Sequence, residues 1–124
     1  MRIIIASCAV LLVAGSLALY RLTRPAAIYG SFESAPAVEV AALIERPKDF
    51  MKRTVAIEGT ITKQCTTMGC FFFFQSGEKT LRVDLAEIAM RAPKNRNGRL
   101  ARAEGRMVPY GDGWQFWASA VEFK

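Results

Sequence analysis

Within KQCTTMGCFFFF, residues 63–74, lie the sulfur atoms that carry the clearest chemical possibilities in this sequence. Cys65 and Cys70 are separated by four residues, with Met68 and Gly69 between them. Thiolate and thioether are soft ligands, so Cys65, Met68 and Cys70 together suit Cu(I). A closed zinc site needs four ligands, and beyond Cys8 the chain has only these two cysteines and no histidine. A dithiol redox pair of the usual kind has two residues between its cysteines rather than four, although Lys63 is placed to favour a thiolate. The third reading is structural: a Cys65–Cys70 disulfide closing a tight turn, whose loop-entropy gain is about 2 kcal/mol. Gly69 serves all three by freeing the backbone within the loop. No cofactor is expected under the structural reading, and copper is the alternative.

The absence of histidine excludes His-based acid–base catalysis, His-ligated haem and His-containing zinc sites. No catalytic set is expected, and the chain reads as a non-enzyme. Glu58 and Glu104 are a conceivable carboxylate pair, brought together only if the fold does so. A second group of residues suits contact rather than chemistry. Phe72, Phe74 and Trp117, with Arg99, Arg102 and Arg106, would make a stacking or protein-contact surface carrying positive charge. Such a surface suits an envelope protein partner or an anionic ligand. Nucleic acid is the weaker partner, because the charge excess is modest. Arg2, Arg21 and Arg24 account for half of the net +6, leaving +3 on everything after them.

The elements that must position these residues follow from hydrophobic period. Residues 3–20 carry no charge and no polar face, so 1–22 reads as a signal peptide or a transmembrane anchor reaching the membrane. Cys8 follows Ile5-Ala6-Ser7 but comes too early, within the apolar core, for lipid attachment. Residues 23–37 read as a linker and 38–124 as the folded domain. Val40, Leu43 and Ile44 give a short helix over 38–45 one apolar face, and Pro47 ends it. Strands are expected over 52–63, 71–75, 80–84, 100–109 and 114–123, with turns at Gly77 and at Gly111-Asp112-Gly113. Asp84 with Glu87 opens a helix over 84–91. Glu-Gly recurs in mid-strand at Glu58-Gly59 and Glu104-Gly105, where a glycine marks a bulge or bend.

Five short strands bent at glycines suit a closed barrel. The order helix, three strands, helix, two strands is the pattern of the OB-fold. The expected class is therefore mainly β: a five-stranded OB-fold-like barrel with a helix between strands 3 and 4, a short helix before strand 1, and an N-terminal apolar helix ahead of both. Phe71, Phe73, Val83, Trp114 and Phe116 are expected to fill it. Alternation then leaves Phe72 and Phe74 on the other face, under the 38–45 helix or exposed beside Trp117.

Pro47, Phe50, Lys52, Val55, Glu58, Gly59, Cys65, Gly69, Cys70 and Phe71 together resemble the signature of a family of small exported bacterial proteins with OB-fold-like domains. The aromatic after the second cysteine is often Trp there and is Phe71 here. The resemblance implies the fold and export to the periplasm or the outer face of the inner membrane. It implies no activity. Export agrees with an oxidised Cys65–Cys70 pair, since disulfides persist outside the reducing cytosol.

Overall fold

The computed structural model describes residues 15–16, 27–64, 71–85, 88, 93 and 96–124. Its strands are β1 (Ala27–Gly30), β2 (Val55–Thr62), β3 (Phe71–Ser76), β4 (Lys79–Asp84), β5 (Leu100–Tyr110) and β6 (Gly113–Phe123), with helix α1 (Val40–Glu45) and a 3-10 turn at Pro47–Phe50 ahead of β2. Two glycine-led hairpin turns set much of the register. Ser76 faces Lys79 across Gly77-Glu78, and Tyr110 faces Gly113 across Gly111-Asp112. Gly77 and Gly111 have φ of 59° and 56°, a left-handed conformation that glycine adopts without a Cβ penalty.

The pairing closes a ring in the order β2, β3, β4, β6, β5 and back to β2. Every pair in it is antiparallel except β4 with β6, which are parallel at Val83–Phe116 and Asp84–Trp117. This is the five-stranded barrel that the sequence pattern implied, and β1 adds a strand that it did not. β1 lies antiparallel to the last four residues of β6. The interior is filled by Val55, Ile57 and Ile61 of β2, Phe72 and Phe74 of β3, Leu81 and Val83 of β4, and Phe116 and Phe123 of β6. Val40 and Leu43 of α1 join this core, which explains the apolar spacing of that short helix.

The two Glu-Gly pairs serve different ends. At Gly105 the β5–β6 register shifts, and a Cβ there would meet the carbonyl oxygen and carbon of Trp117 at 2.1 and 2.8 Å. Only glycine permits that approach, so this position is the expected bulge. Gly59 shows no register shift; it leaves room for the Phe74 ring, whose Cγ would lie 2.9 Å from an added Cβ.

Residues 27–37, expected as part of a spacer, instead lie on the barrel. β1 is paired along its length, and Val38 and Pro36 exchange backbone hydrogen bonds with Ala56 of β2 at 2.9 and 2.8 Å. Most of the expected apolar helix over 1–22, and most of the 84–91 helix, fall outside the described residues. Ile88 N–H donating to the Leu85 carbonyl at 3.0 Å marks a turn there. Among the described residues no helix is long and apolar enough to cross a membrane.

Candidate functional site

One face of the barrel brings aromatic rings and a cation together. On β4 the inward Leu81 and Val83 alternate with Arg82 and Asp84, so the latter two point outward. Cross-strand partners share a face. Phe73 opposite Arg82, and Phe71 opposite Asp84, are therefore outward as well. Phe72 and Phe74, opposite Val83 and Leu81, are fully buried. The expectation that Phe72 and Phe74 belong to a contact surface is thus corrected, along with the assignment of Phe71 and Phe73 to the core. Two charged partners on β4 fix the parity. Turning Phe71 and Phe73 inward would carry Arg82 and Asp84 into an apolar interior, at a large desolvation cost.

Arg82 is the centre of this face. Its guanidinium lies 3.9 Å from the Phe71 ring centroid and 4.5 Å from that of Tyr110, so it is stacked against two rings. Its Nε donates to Gln115 Oε1 at 3.0 Å, and its Nη2 lies 3.8 Å from Asp84 Oδ2. Such cation–π contacts contribute about 0.5–2 kcal/mol each, more where water is excluded. Phe71 and Phe73 meet edge to face at 6.0 Å. Trp117 pairs with Asp84 on one side and with Arg106 on the other. Trp117 and Arg106 of the expected surface are thus neighbours here. Trp117 is half-buried, Arg106 is exposed, and Tyr110 is 49% exposed.

The other two expected arginines sit elsewhere. Arg99 is exposed just ahead of β5, in a loop held by Gln64. Gln64 is buried. Its side chain accepts from Arg96 N–H at 3.0 Å and donates to the Pro93 carbonyl at 2.6 Å, while its own N–H donates to Asn97 Oδ1 at 2.9 Å. The basic loop is therefore fastened to the residue that precedes Cys65. Sequence reading passed over Gln64, since a lone glutamine before a turn has no periodic signal. Arg102 stacks over Phe32 at 4.3 Å and approaches Glu122 at 3.9 Å. Among the described residues the basic side chains form no single stripe.

Glu58 and Glu104 share the outward face of β2 and β5 but have separate partners. Glu58 Oε2 accepts from Lys124 Nζ at 3.2 Å. Glu104 is 2% exposed and accepts the backbone N–H groups of Glu33 and Ala35 at 2.6 and 2.9 Å. Ser34 between those donors has φ of 57°, the left-handed turn that aims both N–H groups at one carboxylate. Cys65, Met68 and Cys70 lie outside the described residues. Among the described residues no three of His, Cys, Asp or Glu gather into a metal-binding group.

The closed strand order and the parallel β4–β6 pair define an OB-fold-like barrel; in OB-folds the second and third barrel strands carry ligands in many proteins. No family model matches the chain, and no curated protein matches it. Among solved structures it is similar to one described as the hypothetical protein ygiW from E. coli. The TM-score is 0.52 at 15% identity, over 77% of this chain and 99% of that one. The likeness supports the barrel assignment.

Proposed function

We propose that the protein is a non-enzymatic binding module of the bacterial cell envelope, exported or membrane-anchored, which holds a ring-bearing ligand on the outer face of β3, β4 and β6. The single observation that carries this reading is Arg82 stacked between Phe71 and Tyr110, beside the accessible Phe73 and Trp117. A charge fixed among these outward rings gives a rigid platform on which flat ligand faces stack. The apolar run at 3–20 favours an envelope location, and there a glycan strand is the ring-bearing polymer at hand. Asp84, partly exposed, adds a hydrogen-bonding group of the kind sugar hydroxyls use.

The test is a fluorescence titration of the full chain with an N-acetylhexosamine oligomer, with oligothymidylate in a parallel arm. Trp117 reports from within the face. Saturable quenching by the glycan that weakens about tenfold in Phe73→Ala supports the reading, since stacked rings contribute about 1–3 kcal/mol each. Binding of neither polymer, or binding that Phe73→Ala leaves unchanged, removes this face as the site. Binding of oligothymidylate alone, with a steep loss in salt, replaces the glycan by nucleic acid.

A further inference from the structure

A cavity lies on another part of the barrel surface, between the 34–38 segment, α1, the 3-10 turn and the outer face of β2 and β5. We propose that it binds a small amphipathic anion, with a carboxylate or phosphate head and a short apolar body. Its volume is about 800 Å³, within the range of about 300–1,000 Å³ that small-molecule sites occupy.

Charge decides the sign of the ligand. Arg46, Arg53 and Arg102 all line the cavity. Among the described residues neither Arg46 nor Arg53 makes an ion pair. Arg53 is poised over the Phe50 ring at 4.9 Å, and Arg102 keeps an enclosed Nε with no hydrogen-bond partner. The carboxylates along the wall are engaged elsewhere: Glu58 by Lys124, and Glu104 by the Glu33 and Ala35 N–H groups. Arg102 already faces Glu122 at 3.9 Å, so with Glu39 at the rim it is Arg46 and Arg53 that remain to meet a ligand. An oxyanion there would meet planar donors suited to bidentate contact.

The lining decides the body. Val38, Ala42 and Phe50 give the floor an apolar character that a free inorganic ion would not use. The wall is also firm. The Glu104 clamp fixes the 33–35 backbone, and the Ala37–Ala56 bridge fixes the segment next to it. A preformed cavity spares the ligand the cost of ordering it. This site shares no residue with the stacking face, so either can fail alone.

Equilibrium dialysis of the full chain against phenyl phosphate and hexanoate tests it, with phenyltrimethylammonium and inorganic phosphate as comparisons. We expect saturable uptake of both amphipathic anions, one equivalent each. The exposed double variant Arg46→Gln/Arg53→Gln should weaken it about tenfold, one decade being about 1.4 kcal/mol. Ala42→Phe, which fills the floor, should abolish it. Uptake that does not saturate, that the ammonium ion matches, or that both variants leave unchanged overturns the proposal. Inorganic phosphate binding as tightly as phenyl phosphate overturns the apolar half of it.

Discussion

Glu104→Ala should loosen one segment of the protein far more than the rest. In the native chain both carboxylate oxygens accept backbone N–H groups, from Glu33 at 2.6 Å and Ala35 at 2.9 Å, with Glu104 itself 2% exposed. Hydrogen bonds to a charged partner contribute about 1.5–3 kcal/mol each. Two of them would exceed 3 kcal/mol if the 33–35 backbone stayed in place with its donors unmet. It need not stay. Once released, the segment can turn its N–H groups to water, and the free energy of that local opening caps the loss. The expected cost is therefore about 2–3 kcal/mol in urea denaturation, a large share of the 5–15 kcal/mol typical of a small domain. Amide exchange reads the same change locally: 2–3 kcal/mol corresponds to about 30- to 150-fold faster exchange at Glu33 and Ala35. Glu104→Gln keeps one acceptor and turns an NH₂ donor toward the other N–H, so it should fall between. Unchanged protection at Glu33 and Ala35 in the alanine variant would refute the clamp. So would a global loss of stability with no local difference.

Three further outcomes follow from the packing. Gly105→Ala should be the more damaging of the two glycine substitutions, because its new Cβ meets Trp117 and Ala118 backbone while that of Gly59→Ala meets the Phe74 side chain; comparative thermal unfolding reads the order. Phe74→Ala should lose about 3–5 kcal/mol as a core truncation, whereas Phe73→Ala, outward on the same strand, should cost well under half of that in the same denaturant assay. Arg82→Ala removes two ring contacts and the Gln115 hydrogen bond, and should cost about 1–3 kcal/mol; Arg82→Lys, which cannot stack as a plane, should recover only a small part.

Much of the barrel was legible because its signals are local. Gly77 and Gly111 mark turns by their chemistry, and Val55, Ile57, Leu81 and Val83 mark inward positions by a period of two. The parity of the phenylalanine run is the reverse of the one expected, because it is set only across two strands. Four identical residues carry no alternation of their own. Taking Gly77-Glu78 as the whole loop puts Phe74 opposite Leu81 and Phe72 opposite Val83, and Val83, expected in the core, draws its partner's side of the strand inside. Residues 27–37 depart from the linker expectation for a different reason. Pro25, Pro36 and the small residues between them describe a linker by composition, while what holds the segment is non-local: pairing with β6, and a carboxylate 71 positions away from Glu33. The stacking of Arg82 needed β5, β4 and β3 assembled before Tyr110 and Phe71 could be seen on either side of it. A sequence pattern holds no such information.

The position of the stacking face follows from how the rest of the barrel's outside is covered. On the latter half of β6, Ala120 faces outward and is fully buried because Gly30 of β1 lies against it. On β2 and β5, Ala56 and Glu104 are outward and buried because residues 33–38 cross them. Those outward positions hold small residues or a satisfied carboxylate, as a covered surface requires. The register shift at Gly105 divides β5. Beyond it the outward residues of β5, β6, β4 and β3 become large: Arg106 and Tyr110, Trp117, Arg82, Phe71 and Phe73. Among the described residues no segment crosses them. Rings left uncovered on a small domain expose apolar area that solvent does not favour, and stacking them on one another recovers only part of it. The remaining exposed ring area is where a ligand gains most by binding, which places recognition on this side of the bulge and structural support on the other.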